Sequence, residues 1–74
     1  MTITHERIVQ AMKRRNLSPE MLSIKTGRAI SARMIRYYRI GRHQPSGESL
    51  VRLSKGLGVT VDWLLGIDEK EEQA

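Results

Sequence analysis

Between Arg28 and Arg42 the chain carries five arginines and no acidic residue, and within that span lies the run ISARMIRYYRIG, residues 30–41. Guanidinium groups are permanently charged, planar forks whose N–H donors match phosphate oxygens or the O6 and N7 edge of guanine. Spacing decides which of them can act together. On a helix turning ~100° per residue from Ser31, Met34, Ile35 and Tyr38 fall within one apolar stripe. Ala32, Arg33 and Arg36 fall on the opposite side, with Tyr37 on the shoulder. The pattern predicts a helix that buries Met34, Ile35 and Tyr38 and offers Ala32, Arg33, Arg36 and Tyr37 outward. A helix ~10–12 Å across fits the major groove of B-form DNA. A small residue at position 32 allows the helix N-terminus to approach closely, and that end of the dipole favours phosphate.

The whole-chain charge points the same way. Lys and Arg number 13 against 8 acids, and four of those acids (Asp68, Glu69, Glu71, Glu72) stand within the last seven residues. Residues 1–67 therefore hold 12 basic residues against 4 acidic ones. Such an imbalance favours a polyanion, nucleic acid before membrane. Cysteine is absent and the two histidines, His5 and His43, are far apart, so neither disulfides, a metal site nor a cofactor is expected. No apolar stretch has signal-peptide or membrane length, which predicts a cytoplasmic protein. The chain also offers no nucleophile with a partnering base, no paired carboxylates and no phosphate-cradling loop, so an enzyme is not expected. No small-molecule ligand is evident.

The elements that must position the arginines follow one repeated local rule. An aliphatic residue or proline, then Ser or Thr, then three residues, then an aliphatic recurs five times, with hydroxyls at Thr4, Ser18, Ser31, Ser46 and Thr60. Each hydroxyl can accept from a free N–H in the first helical turn. The flanking aliphatics suit the hydrophobic contact that fixes a helix entry. Pro19 fits the first helical position, where its missing N–H costs nothing. Gly27, Gly41, Gly58 and Gly66 stand where helices should stop. Helices near 5–15, 19–26, 32–40, 47–57 and 61–65 result, with no period-2 segment. The expected fold is all-α, one domain over residues 1–67, with an acidic tail over 68–74 that frays.

The expected core is Ile8, Met12, Leu17, Leu22, Ile30, Ile35, Tyr38, Leu50, Leu53, Leu57, Val59, Leu64 and Leu65. On the last helix Val61, Leu64 and Leu65 share a side and Trp63 points away from it. Two roles stay open for Trp63: lying over the edge of the core, or anchoring a homodimer. His5 falls on the buried side of the first helix. Glu20 and Glu48 stand at helix starts, where they complement the dipole.

The segment SPEMLSIKTG, the short turn after it, and the helix opening at Ser31 are arranged as in a helix-turn-helix. Gly41, Arg42, Pro45, Leu50, Leu53, Leu57-Gly58-Val59 and Asp62-Trp63-Leu64-Leu65-Gly66 follow at specific spacing. Taken together, residues 5–66 resemble the Cro/C1-type (XRE-like) helix-turn-helix family of phage repressors and bacterial transcriptional regulators. The resemblance implies a compact five-helix, lambda repressor-like domain in which Ala32, Arg33, Arg36 and Tyr37 read bases. It implies that the helix opening at Ser18 crosses the phosphate backbone and that Arg42, His43 and Gln44 touch phosphate. Arg28, Ser31 and Arg39 join them as backbone contacts.

Three features depart from the family pattern. Pro19 stands where the family usually has a glutamine that contacts phosphate. The turn between the two helices is about two residues longer, which shifts the helices or bulges Arg28 and Ala29 outward. Arg39 stands where the family often has an acid. A second similarity links MIRYYRIGRHQP to MerR-type activators, but here a full helix precedes the motif, and neither a wing nor a long coiled-coil helix follows it.

The expected function is therefore sequence-specific binding of double-stranded DNA by a transcriptional regulator of the repressor type. Its expected form is a homodimer on a palindromic operator. The alternative is a helix-turn-helix protein-interaction module, such as an antitoxin or an anti-repressor partner.

Overall fold

Four side-chain hydroxyls open four helices. In the computed structural model, which describes residues 3–69, Ser18, Ser31, Ser46 and Thr60 all have extended backbone angles. Their oxygens accept from the backbone N–H groups of Met21 (3.1 Å), Met34 (3.1 Å), Ser49 (3.2 Å) and Trp63 (3.0 Å). Each such cap is worth about 1 kcal/mol. The helices they open are α2 (Pro19–Lys25), α3 (Ala32–Arg39), α4 (Gly47–Leu57) and α5 (Val61–Leu64); α1 (Ile3–Arg14) precedes them. No strand occurs among the described residues.

Helix α1 departs from the hydroxyl rule. Thr4 is not its cap but a buried residue of its first turn. Ile3 lies against Gly66, where an added Cβ would sit 2.7 Å from Ile3 Cγ2. Packing on the far end of the chain thus carries the helix upstream of the hydroxyl. Its stop is a residue the glycine pattern does not include, Asn16 at φ 54°, with the Leu17 N–H donating to Met12 O at 2.9 Å. Asparagine enters the left-handed region more easily than most side chains.

One core joins the five helices. Ile8, Ala11 and Met12 of α1, Leu22 of α2, Ile35 and Tyr38 of α3, Leu53 and Leu57 of α4, and Leu64 of α5 are buried together with Ile30 and Val59. Helix α1 packs on α3 and α5, α2 on α3 and α4, and α4 on α5. Gly56 makes the α2–α4 approach possible, since a Cβ there would meet Leu22 Cδ1 at 3.1 Å and Thr26 Cγ2 at 3.3 Å.

The last helix corrects the expected core. Trp63 is only 4% exposed and belongs to the core, whereas Leu65 is 41% exposed. Helix α5 is a single turn with Leu65 as its C-cap, and the side it turns inward is that of Trp63 and Leu64, not the side shared by Val61, Leu64 and Leu65. Arg7 covers the tryptophan, its guanidinium carbon 4.8 Å from the ring centroid. The same guanidinium donates to Trp63 O at 2.7 Å and to Asp68 O at 2.9 Å. A side chain this enclosed offers no surface to a partner, which removes Trp63 as a dimer anchor. Asp68, expected to fray, is held by Arg7 and by its own N–H to Asp62 O at 3.2 Å. Of the acidic tail, residues 70–74 lie outside the described residues.

Candidate nucleic-acid interface

Helix α3 stands as its spacing predicts. Ile35 and Tyr38 are buried and Met34 packs partly against the core. Arg33 and Arg36 are exposed, and Ala32 and Tyr37 are half-buried beside them. The Ser31 cap fixes the start of the helix. Its end turns at Gly41, φ +76°, with the Arg42 N–H donating to Tyr37 O at 2.9 Å. A Cβ on Gly41 would press on His5 Nδ1 at 3.3 Å, so both the backbone angle and the space favour glycine here. This turn brings the loop 42–44 back toward the arginine-bearing face.

Tyr37 is the centre of that face. Arg33 Nε donates to the Tyr37 hydroxyl at 3.1 Å, with its guanidinium 5.7 Å from the ring centroid. Arg42 lies 5.0 Å from the same ring, and His43 meets it edge-on at 5.2 Å. Cations are drawn to the negative face of an aromatic ring, and an ordered guanidinium loses less rotamer freedom when it binds. One half-buried ring thereby gathers four of the sequence-predicted site residues: Arg33, Tyr37, Arg42 and His43.

The other predicted residues stand as follows. Arg28 and Ala29 are exposed in the turn between α2 and α3. Arg28 is left-handed at φ 62°, with its N–H donating to Ser23 O at 2.9 Å. Ser23 Oγ donates in turn to Ile30 O at 2.7 Å. Buried Ile30 and this bond anchor the turn. Ser18 and Ser31 each use an oxygen lone pair on their own helix, which leaves the hydroxyl proton available to an acceptor. Arg39 is half-buried and lines a shallow hollow with Val9, Arg36, Tyr37 and Ile40. Gln44 is exposed in the loop.

Arg36 has a partner that its spacing does not foretell. Its Nη2 is ion-paired with Glu20 Oε2 across the two helices, both side chains remaining more than half exposed. The hydrogen bond from Arg36 and one from the glutamate's own backbone N–H hold the Glu20 carboxyl below the ordinary glutamate range. No group of three or more potential metal ligands occurs among the described residues. No helix among them is long and apolar enough to cross a membrane.

The sequence model of the helix-turn-helix family matches residues 8–64, a span that takes in α2, α3 and the turn between them. No curated protein and no solved structure matches the chain. The match covers most of the chain and coincides with an all-helical domain whose third helix turns its arginines outward. The chain belongs to the Cro/C1-type helix-turn-helix family of DNA-binding regulators.

Proposed function

We propose that the protein binds double-stranded DNA sequence-specifically, as a repressor, with α3 in the major groove. Arg33 and Arg36 make the direct base contacts, Ala32 permits close approach, and Tyr37 meets a thymine methyl or a phosphate. Arg28, Arg39, Arg42, His43, Gln44, Ser18 and Ser31 position the domain on the backbone. The observation that carries this reading is the outward face of α3, where Tyr37 gathers Arg33, Arg42 and His43. Ordered guanidinium forks on a helix that fits the groove are suited to the paired acceptors of guanine O6 and N7.

The active form is a homodimer that sets two copies of α3 one helical turn apart, about 34–36 Å. Selection from random duplexes tests specificity and symmetry together. A palindromic winner with half-sites about 10 bp apart is the expected outcome. Absence of binding to any duplex at low salt would refute the reading and favour the protein-interaction module instead.

A further inference from the structure

Every exposed arginine of α3 faces solvent or an aromatic ring except Arg36, which shares its guanidinium with Glu20. Beyond that carboxylate, no acid occurs from residue 21 through residue 47, so Glu20 alone supplies negative charge to this part of the chain. Glu20 stands in the first turn of α2, next to Pro19 and the Ser18 cap, and its carboxylate accepts from Arg36.

We propose that Glu20 is a specificity-determining residue: it holds Arg36 away from phosphate and releases or shares it only at a G·C pair. This rests on the DNA-reading role of α3 given above. A single phosphate offers Arg36 little more than the carboxylate it must leave, and the freed carboxylate then faces a polyanion. At a G·C pair the balance changes, because guanine O6 and N7 accept both guanidinium donors and cytosine N4–H2 can donate to the carboxylate. The Glu20–Arg36 pair thus weakens binding to random sequence more than binding to the true site, and discrimination is the difference between the two.

The test is Glu20→Gln, which keeps the size and the helix start, measured by salt titration on random duplex and on the selected operator. Freeing one cation should steepen the random-duplex salt slope by about one, so that the gain in affinity is about 3.5-fold larger at 50 mM than at 200 mM salt. The operator should gain less, so the specificity ratio falls, and the guanine preference at the base pair read by Arg36 should broaden. In an Arg36→Ala background the same substitution should leave that base preference unchanged, which separates release of Arg36 from simple loss of a repelling charge. An unaltered salt slope and ratio in Glu20→Gln would overturn the proposal, as would the same broadening with Arg36 already removed. A parent chain that binds no duplex would instead refute the DNA-reading function itself.

Discussion

Tyr37→Phe separates two jobs that one side chain performs. The ring carries Arg42 at 5.0 Å and His43 at 5.2 Å, while the hydroxyl alone accepts from Arg33 Nε at 3.1 Å. Phenylalanine keeps the ring and deletes the acceptor. Arginine carries about 2 kcal/mol of rotamer entropy, and one exposed hydrogen bond restrains only part of the side chain. The loss on the operator should therefore be about 0.5–1 kcal/mol, a two- to fivefold weaker Kd. Random duplex reads charge rather than geometry, and no charge changes, so its affinity and salt slope should stay as in the parent. Fluorescence anisotropy on the selected operator and on a scrambled duplex measures both. Arg33→Ala in combination with Tyr37→Phe should cost no more than Arg33→Ala alone, since the hydroxyl acts through that arginine. Equal weakening on both duplexes, or additive costs in the double variant, would refute the assignment of Tyr37 as the residue that orders Arg33 and place its hydroxyl on a phosphate instead.

Other perturbations address neighbouring parts of the site and its support. Arg33→Ala should cost about 1–3 kcal/mol on the operator and relax the preference at one base pair, whereas Arg42→Ala should weaken all duplexes alike and lower the salt slope by about one. Competition binding with a panel of single-base operator variants distinguishes them. Arg7→Ala should destabilise the fold by about 2–3 kcal/mol, because a side chain only 11% exposed makes two bonds to backbone carbonyls and lays its guanidinium over Trp63. For a domain this size that lowers Tm by roughly 4–8 °C per kcal/mol, readable by calorimetry. The Glu20 carboxyl should titrate below the ordinary glutamate range by carbon-detected NMR, held there first by the Arg36 hydrogen bond, and return toward that range in Arg36→Ala. Because the folded value is lowered, the pair's contribution is complete above the ordinary glutamate value and is lost as pH falls through the lowered one.

Local rules in the chain were enough to place the outward arginines, because they stand on one capped helix. Ser31 and Ile35 fix the rotation of α3, and rotation alone decides that Arg33 and Arg36 point outward while Ile35 and Tyr38 point inward. Rules of this kind fail where a distant segment competes. Thr4 loses its expected place as a cap because Ile3 finds a contact at Gly66. Trp63 goes inside and Leu65 outside where Arg7, 56 residues away, closes over the ring.

Glu20 is the most instructive case, since its position near a helix N-terminus is fully explained by the dipole. Nothing in its local sequence signals the pairing with Arg36. That pairing appears only when the α2–α3 turn folds Glu20 against a residue 16 positions on. The turn therefore sets a contact between the helices as well as connecting them. Buried Ile30, the Ser23 bond beneath it and two successive left-handed residues set the pose of α2 against α3, and that pose decides whether a carboxylate can reach Arg36. Arg28 and Ala29 face solvent while the two helices stay close enough for a carboxylate of one to pair with a guanidinium of the other.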